Sequence, residues 1–180
     1  AMRERVTQII AEREYLIAAL KAVGPRIKPK VRLLYTGGHA DNPEFFELLQ
    51  QNDAHVVSDN TGFGTRAADV LIREDGDPLE AIIDYYFEEK PAATRQMGTQ
   101  VERMERLLDL VKQYKADGVV ASRLYMCDLW AFEHFLMRKR LHENNVPFLE
   151  LEVDYTPEGQ GQIKTRVQAF VESLADRQTA

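Results

Sequence analysis

Cys127 is the only cysteine in this chain of 180 residues, and its neighbours suggest chemistry for it. The stretch Asp117-Gly118-Val119-Val120-Ala121-Ser122-Arg123-Leu124-Tyr125-Met126-Cys127-Asp128 reads as a buried strand running out into a short turn, and Leu129 to Leu141 reads as a helix. A thiol just before a helix start faces the positive end of the helix dipole, which favours the thiolate, the form that ligates metals and attacks electrophiles. One thiolate cannot hold a metal cluster by itself, and a nucleophile needs a base that the sequence does not place beside it. Cys127 is therefore one contribution to a larger site or an ordinary buried thiol, and these residues alone favour the buried thiol. The helix after it, with Trp130, Phe132, Phe135, Leu136 and Met137, is apolar nearly all round. That predicts burial in a larger assembly, or an apolar wall that keeps water from something reactive.

Other residue patterns carry weaker signals. Gly62-Phe63-Gly64-Thr65-Arg66-Ala67 matches a loose G-x-G-x-x-A fingerprint after a strand. A dinucleotide site would also need an immediate helix and a second strand ending in an acidic residue, whereas the region around Asp84 reads as helix. A glycine-rich turn is the expected reading. The Gly37-Gly38 turn could offer amides to a phosphate but lacks the lysine and hydroxyl of a P-loop, so a plain strand-to-helix turn is favoured. The histidines, His39, His55, His134 and His142, have no i, i+4 pairing and no second cysteine, so a zinc site is unsupported. His39 is the most plausible functional one, because its loop should lie at the carboxyl edge of a sheet.

The elements that must position these groups follow from apolar periodicity. Residues 3 to 22 carry a helical stripe of Val6, Ile9, Ile10, Ile17 and Leu20, ended by Gly24-Pro25. Strands are expected at Val31–Tyr35, Ala54–Ser58, from Gly118, and at Pro147–Val153. Asn42-Pro43 and Asp77-Pro78 open helices. Thr99 and Glu102 suggest a capping box for a long helix with Val101, Met104, Leu107, Leu108, Val111 and Tyr114 inward. A last helix runs from Gln162 to Leu174. Strands alternating with helices predict a three-layer flavodoxin/Rossmann-like α/β domain, with a parallel sheet of about four strands flanked by helices. Ligands collect at the carboxyl ends of such strands. Four segments would lie there: Thr36–Asp41, Asp59–Arg66, Ser122–Asp128 and Asp154–Gln162. The loop from Asn60 to Asp77 is long and sparsely patterned, which marks it as a candidate functional segment.

Bulk properties narrow the classes further. A formal net charge of −6 argues against a nucleic-acid surface. The basic run Met137-Arg138-Lys139-Arg140 sits where the helix C-terminal dipole favours cations. A single cysteine excludes an internal disulfide framework and fits a reducing cytoplasm. No apolar run approaches the roughly 18 residues needed to cross a bilayer, and the N-terminus has no signal-peptide apolar segment. Ala1 before Met2 reads as a remnant of cloning, which predicts a piece of a longer protein.

The second half of the chain resembles the D-component family of 2-hydroxyacyl-CoA dehydratases, which includes the paired subunits of ATP-dependent benzoyl-CoA reductase. The resembling stretches are Asp75-Gly76-Asp77-Pro78-Leu79-Glu80-Ala81, Lys112-Gln113-Tyr114-Lys115-Ala116-Asp117-Gly118-Val119 and Met126-Cys127-Asp128. Pro147-Phe148-Leu149-Glu150-Leu151-Glu152-Val153-Asp154-Tyr155 and Gly161-Gln162-Ile163-Lys164-Thr165-Arg166-Val167-Gln168-Ala169-Phe170 complete the set. The resemblance implies a heterodimer with a homologous second subunit, in which family subunits hold [4Fe–4S] clusters through three cysteines. Two of these belong to an N-terminal domain, and the third is the Cys-Asp motif matched here by Cys127-Asp128. It also implies an acyl-CoA substrate close to a cluster. A separate ATP-dependent iron–sulfur activator would supply a low-potential electron for ketyl-radical or ring-reduction chemistry. Asp128 is the expected helix N-cap and is not expected to be a ligand.

The departures from the family are informative. Family subunits are much longer, and some relatives have a cysteine where this chain has Gly62 and another after the proline of the Lys90-Pro91 segment. The expectation is an N-terminal helix and linker over residues 1–28, then the α/β C-terminal domain of a longer subunit over 29–180, inactive alone, with Cys127 the one cofactor and metal ligand. The alternatives are a stand-alone flavodoxin-like nucleotide- or CoA-binding domain, and a non-catalytic domain that forms the heterodimer.

Overall fold

The strand that begins at Val31 continues past Tyr35 through Thr36, so the first strand, β1, spans Val31–Gly37. The computed structural model describes residues 2–24, 28–38, 42–50, 53–154 and 160–179. In it β1 pairs in parallel with β2 (Ala54–Asn60) and with β3 (Gly118–Leu124), and β3 pairs in parallel with β4 (Phe148–Val153). The order β2-β1-β3-β4 makes a four-stranded parallel sheet. This is the flavodoxin-like winding, in which the chain adds β2 on one side of β1 and then crosses to the other side. The expected three-layer α/β fold is what the chain forms.

The helices are α1 (Met2–Val23), α2 (Pro43–Leu49), α3 (Thr65–Ala68), α4 (Pro78–Asp84), α5 (Gln100–Gln113), α6 (Asp128–Glu143) and α7 (Gln160–Thr179). A π-helical turn, Tyr85–Glu89, continues α4. The period-2 alternation of the strands divides the core in two. Leu33, Tyr35, Val120 and Leu151 face Leu49 of α2 and Val167, Val171 and Leu174 of α7. Leu34, Val119 and Ala121 face Met104, Leu107, Leu108 and Val111 of α5 and Met137 and Leu141 of α6.

The helix starts expected at Asn42 and Asp77 are present. Asn42 Oδ1 accepts from the Glu44 amide at 2.9 Å, and Asp77 Oδ1 accepts from the amides of Leu79 and Glu80 at 2.9 and 3.1 Å. The capping box is not. Thr99 precedes α5, but its hydroxyl donates to the Gln96 carbonyl and accepts from Arg103 Nη1, so it does not cap the helix. Val101, expected inward, is 74% exposed, and Arg103 turns inward from the neighbouring face. The stripe of α1 also packs differently from its period: Val6, Ile9, Ile10, Ile17 and Leu20 are exposed. Both faces of the sheet are already covered by α2 with α7 and α5 with α6. No helix among the described residues is long and apolar enough to cross a membrane.

Candidate functional site at the carboxyl edge of the sheet

The crossing from β2 to β3 puts the switch point between β1 and β3, the place on the carboxyl edge where ligands of such sheets collect. Gly37 pairs with Ser122 there. Its φ of 144° lies in the region that favours glycine, and a Cβ on it would sit 2.3 Å from the Ser122 carbonyl oxygen. The Gly38 amide donates to that same carbonyl at 3.1 Å. Below this contact the Tyr35 hydroxyl meets Ser122 Oγ at 2.5 Å in the core. Burial pushes Tyr35 up to about 12, against the hydrogen bond with Ser122 and with a smaller push from Asp59. Tyr35 is thus a neutral strut, and the Gly37-Gly38 turn is shaped by strand contact. His39 and Asp41, which follow it, lie outside the described residues.

The loop after β2 is organised by one carboxylate. Asp59 Oδ1 accepts from the Thr61 amide at 2.9 Å and the Thr61 hydroxyl at 2.6 Å, and Oδ2 accepts from the Thr65 hydroxyl at 2.8 Å. The Thr65 amide also points at the carboxylate. Burial works to raise Asp59, but the bonds from Thr61 and Thr65 outweigh it and hold the group below the ordinary carboxylate range. A Cβ at Gly64 would lie 2.0 Å from Asp59 Oδ1. Gly64 therefore makes room for Asp59, whereas a Cβ at Gly62 would come within 2.9 Å of Arg66 Nη2. A carboxylate already takes the amides that a phosphate would need, and the four-residue α3 is no crossover helix. The turn reading of this stretch holds.

Cys127 ends the third edge segment. The Tyr125 amide still donates to Val153 of β4 at 2.9 Å, and the Cys127 amide then closes a turn on the Leu124 carbonyl at 3.1 Å. Met126 stands in that turn at φ 62°, a left-handed conformation that costs a non-glycine residue about 1–3 kcal/mol. The turn aims the chain into α6 with Cys127, not Asp128, at the N-cap; its carbonyl accepts from the Ala131 amide at 2.9 Å. Asp128 is the first helical residue and makes no side-chain cap. Cys127 is half-buried. In the turn before it Tyr125 and Met126 are exposed, and along α6 after it Leu129, Phe132 and Phe135 are exposed, the last two at 59% and 58%. The apolar character of α6 is real, but its inward face is Glu133, His134, Met137 and Leu141.

Two networks escaped the sequence reading. Arg103 and Glu133 are buried and pair between α5 and α6. His134 is fully buried with Nδ1 3.4 Å from Glu150 Oε1, while Glu150 also pairs with Arg123 and Arg138. Burial lowers His134 against the attraction of Glu150, with Arg123 and Arg138 adding to the lowering. The signal was present: Arg103 sits four residues before Leu107, and Glu133 and His134 sit on the stripe of Met137 and Leu141. A charge on an apolar stripe implies a buried partner. His55 lies in β2 and His142 at the end of α6, and neither approaches Cys127 as a metal partner. Among the described residues no three His, Cys, Asp or Glu side chains could hold one metal ion. A lone half-buried thiol does not make a whole metal-cluster site among the described residues.

A doubly wound parallel sheet whose strand order reverses between β1 and β3, with a half-buried thiol on the same carboxyl edge, defines the class of domain. The family model described as 2-hydroxyglutaryl-CoA dehydratase, D-component, matches residues 2–174, and the chain belongs to that family. It is 30% identical over 156 residues to YjiM of Escherichia coli strain K12, a protein named as a dehydratase subunit, covering 84% of this chain and 39% of that one. It is 25% identical over 175 residues to the (R)-phenyllactyl-CoA dehydratase beta subunit of Clostridium sporogenes, covering 95% and 43%. To one of the benzoyl-CoA reductase subunits of Thauera aromatica it is 20% identical over 165 residues, covering 90% and 42%. The chain thus spans less than half the length of these relatives. Separately, a stretch of 23 residues is 91% identical to 6% of histidinol-phosphate aminotransferase of Escherichia coli O81, too small a share of either protein to carry a family.

Proposed function

We propose that residues 29–180 are the C-terminal domain of an iron–sulfur subunit of a 2-hydroxyacyl-CoA dehydratase or benzoyl-CoA reductase, with Cys127 as one ligand of a [4Fe–4S] cluster. The other ligands would lie outside these residues. The observation that supports this most is the setting of Cys127. It is half-buried at the carboxyl edge, at the head of α6, with Tyr125 and Met126 exposed before it and Leu129, Phe132 and Phe135 exposed at helical spacing after it. Exposed apolar residues so spaced suit a contact with further protein, and a cluster ligand needs such cover to keep water out. In this reading the covering mass is the N-terminal domain and a homologous second subunit. The reaction is radical or ring-reduction chemistry on an acyl-CoA, driven by an electron from an ATP-dependent activator in the cytoplasm. These residues alone are inactive.

The test uses the full-length subunit made without oxygen. A broad charge-transfer absorption with iron and sulfide in the protein is expected, and Cys127→Ala should remove it. Full iron and sulfide in that variant would show that Cys127 is not a ligand. The same exposed apolar residues of α6 suit a non-catalytic domain that forms the heterodimer; there Phe132→Ser would weaken assembly while Cys127→Ala left iron content unchanged.

A further inference from the structure

β4 stands at one end of the sheet, with only β3 beside it. The Val119 amide donates to the Pro147 carbonyl and the Tyr125 amide to the Val153 carbonyl, each at 2.9 Å. In a parallel ladder that register turns the backbone groups of Leu149 and Leu151 toward β3 and those of Phe148, Glu150 and Glu152 outward. A groove of about 480 Å³ runs along this open edge, between α6 and α7. We propose that the groove takes an added strand, an extended acidic segment of a partner protein.

In strand addition the backbone supplies affinity and the flanking side chains supply selectivity. Here the flanks are basic. Arg138 and His142, one turn apart on α6, line one side of the groove, and Arg166 and Arg177 of α7 line the other. The acids of β4 do not cancel them: Glu152 pairs with Arg123, and Glu150 is shared by Arg123 and Arg138. Arg177 has no ion-pair partner among the described residues. Arg166 Nη2 donates to the outward carbonyl of Glu150 at 2.7 Å, in the place of a partner strand's amide.

Successive residues of a strand point to opposite faces. One side chain of the added strand therefore meets Arg138 and His142, and the next meets Arg166 and Arg177. Two successive acids suit the groove, and two lysines do not. A second copy of β4 suits it less well, because antiparallel pairing centred on Glu150 sets that carboxylate against its own copy, and like charges directly opposite destabilise a pair. Cations along an open edge also discourage unselective pairing.

The probe is a fluorescein-labelled peptide of threonines around a central pair of glutamates, titrated with the 180-residue chain. Its fluorescence anisotropy should rise saturably, while the same peptide with lysines in place of the glutamates should not bind. Arg166→Gln and Arg177→Gln should each weaken binding roughly tenfold, the factor expected for a lost charge-assisted hydrogen bond. Both side chains are exposed, so these variants keep the fold. Hydrogen exchange at the amides of Phe148, Glu150 and Glu152 should slow in the complex. Saturable binding with exchange at those amides unchanged would mean that charge alone holds the peptide, and overturns the added strand. No saturable binding, or equal binding by both variants, overturns the proposal as well. Protection of the same amides without peptide, together with a doubled mass in solution, would assign the edge to a second copy and overturn it too.

Discussion

Arg103 and Glu133 form a two-bond ion pair across the α5–α6 seam, Nε to Oε1 at 2.8 Å and Nη2 to Oε2 at 2.7 Å, with both side chains nearly inaccessible. The pair stands where helix periodicity calls for apolar residues, so its charges are desolvated and depend on each other. Removing one partner leaves an uncompensated buried charge, whereas removing both need not. Glu133→Gln should cost about 3–5 kcal/mol, and the double variant Arg103→Met with Glu133→Leu should recover much of that loss. Urea unfolding of the single and double variants measures the difference. Equal losses in both would mean that the pair acts only through packing.

Gly37 meets Ser122 too closely for any side chain. Gly37→Ala adds a Cβ 2.3 Å from a carbonyl oxygen in a conformation that L residues rarely adopt. Strain and overpacking together should cost at least about 2 kcal/mol. The loss should appear as a lower denaturant midpoint with an unchanged slope. A variant as stable as the parent would mean that β1 and β3 can part at that point without penalty.

Asp59 holds the loop after β2 by bonding Thr61 and Thr65. Asp59→Ala should cost about 2 kcal/mol, since hydrogen bonds to a charged group are each worth roughly 1.5–3 kcal/mol and this carboxylate is partly exposed. It should also open the loop. Trypsin should then cut after Arg66 and Arg73 faster than in the parent under native conditions. Unchanged cleavage would mean that the loop is held by other contacts.

His134 makes stability depend on pH in a definite direction. Its folded form is held below the ordinary histidine range, while the unfolded chain takes up a proton near pH ~6.5. Below that pH the unfolded state binds more protons than the folded state, so stability falls as the pH drops. The loss ends once the folded histidine is protonated too. Between pH ~7 and ~5, above the carboxylate range, the parent should lose stability on acidification and His134→Leu should lose less. Parallel curves for the two proteins would assign the effect to other groups.

The sequence by itself determined the layers, the parallel sheet and the edge on which Cys127 lies. Strand alternation, helix period and the caps at Asn42 and Asp77 are local patterns, and the backbone reads them within a few residues. The resemblance around Met126-Cys127-Asp128 also placed the chain in its family, because that signal is linear. Packing decided the rest. Thr99 lost its cap role because Arg103, four residues on, reached its hydroxyl while pairing with Glu133 thirty residues away. Cys127 took the N-cap from Asp128 because Met126 turned left-handed. Arg138 and Arg166 meet at Glu150 because α6 and α7 flank β4 only when the sheet is wound. Whether a charge is solvated or buried depends on what lies across from it, and only the tertiary structure brings those partners together.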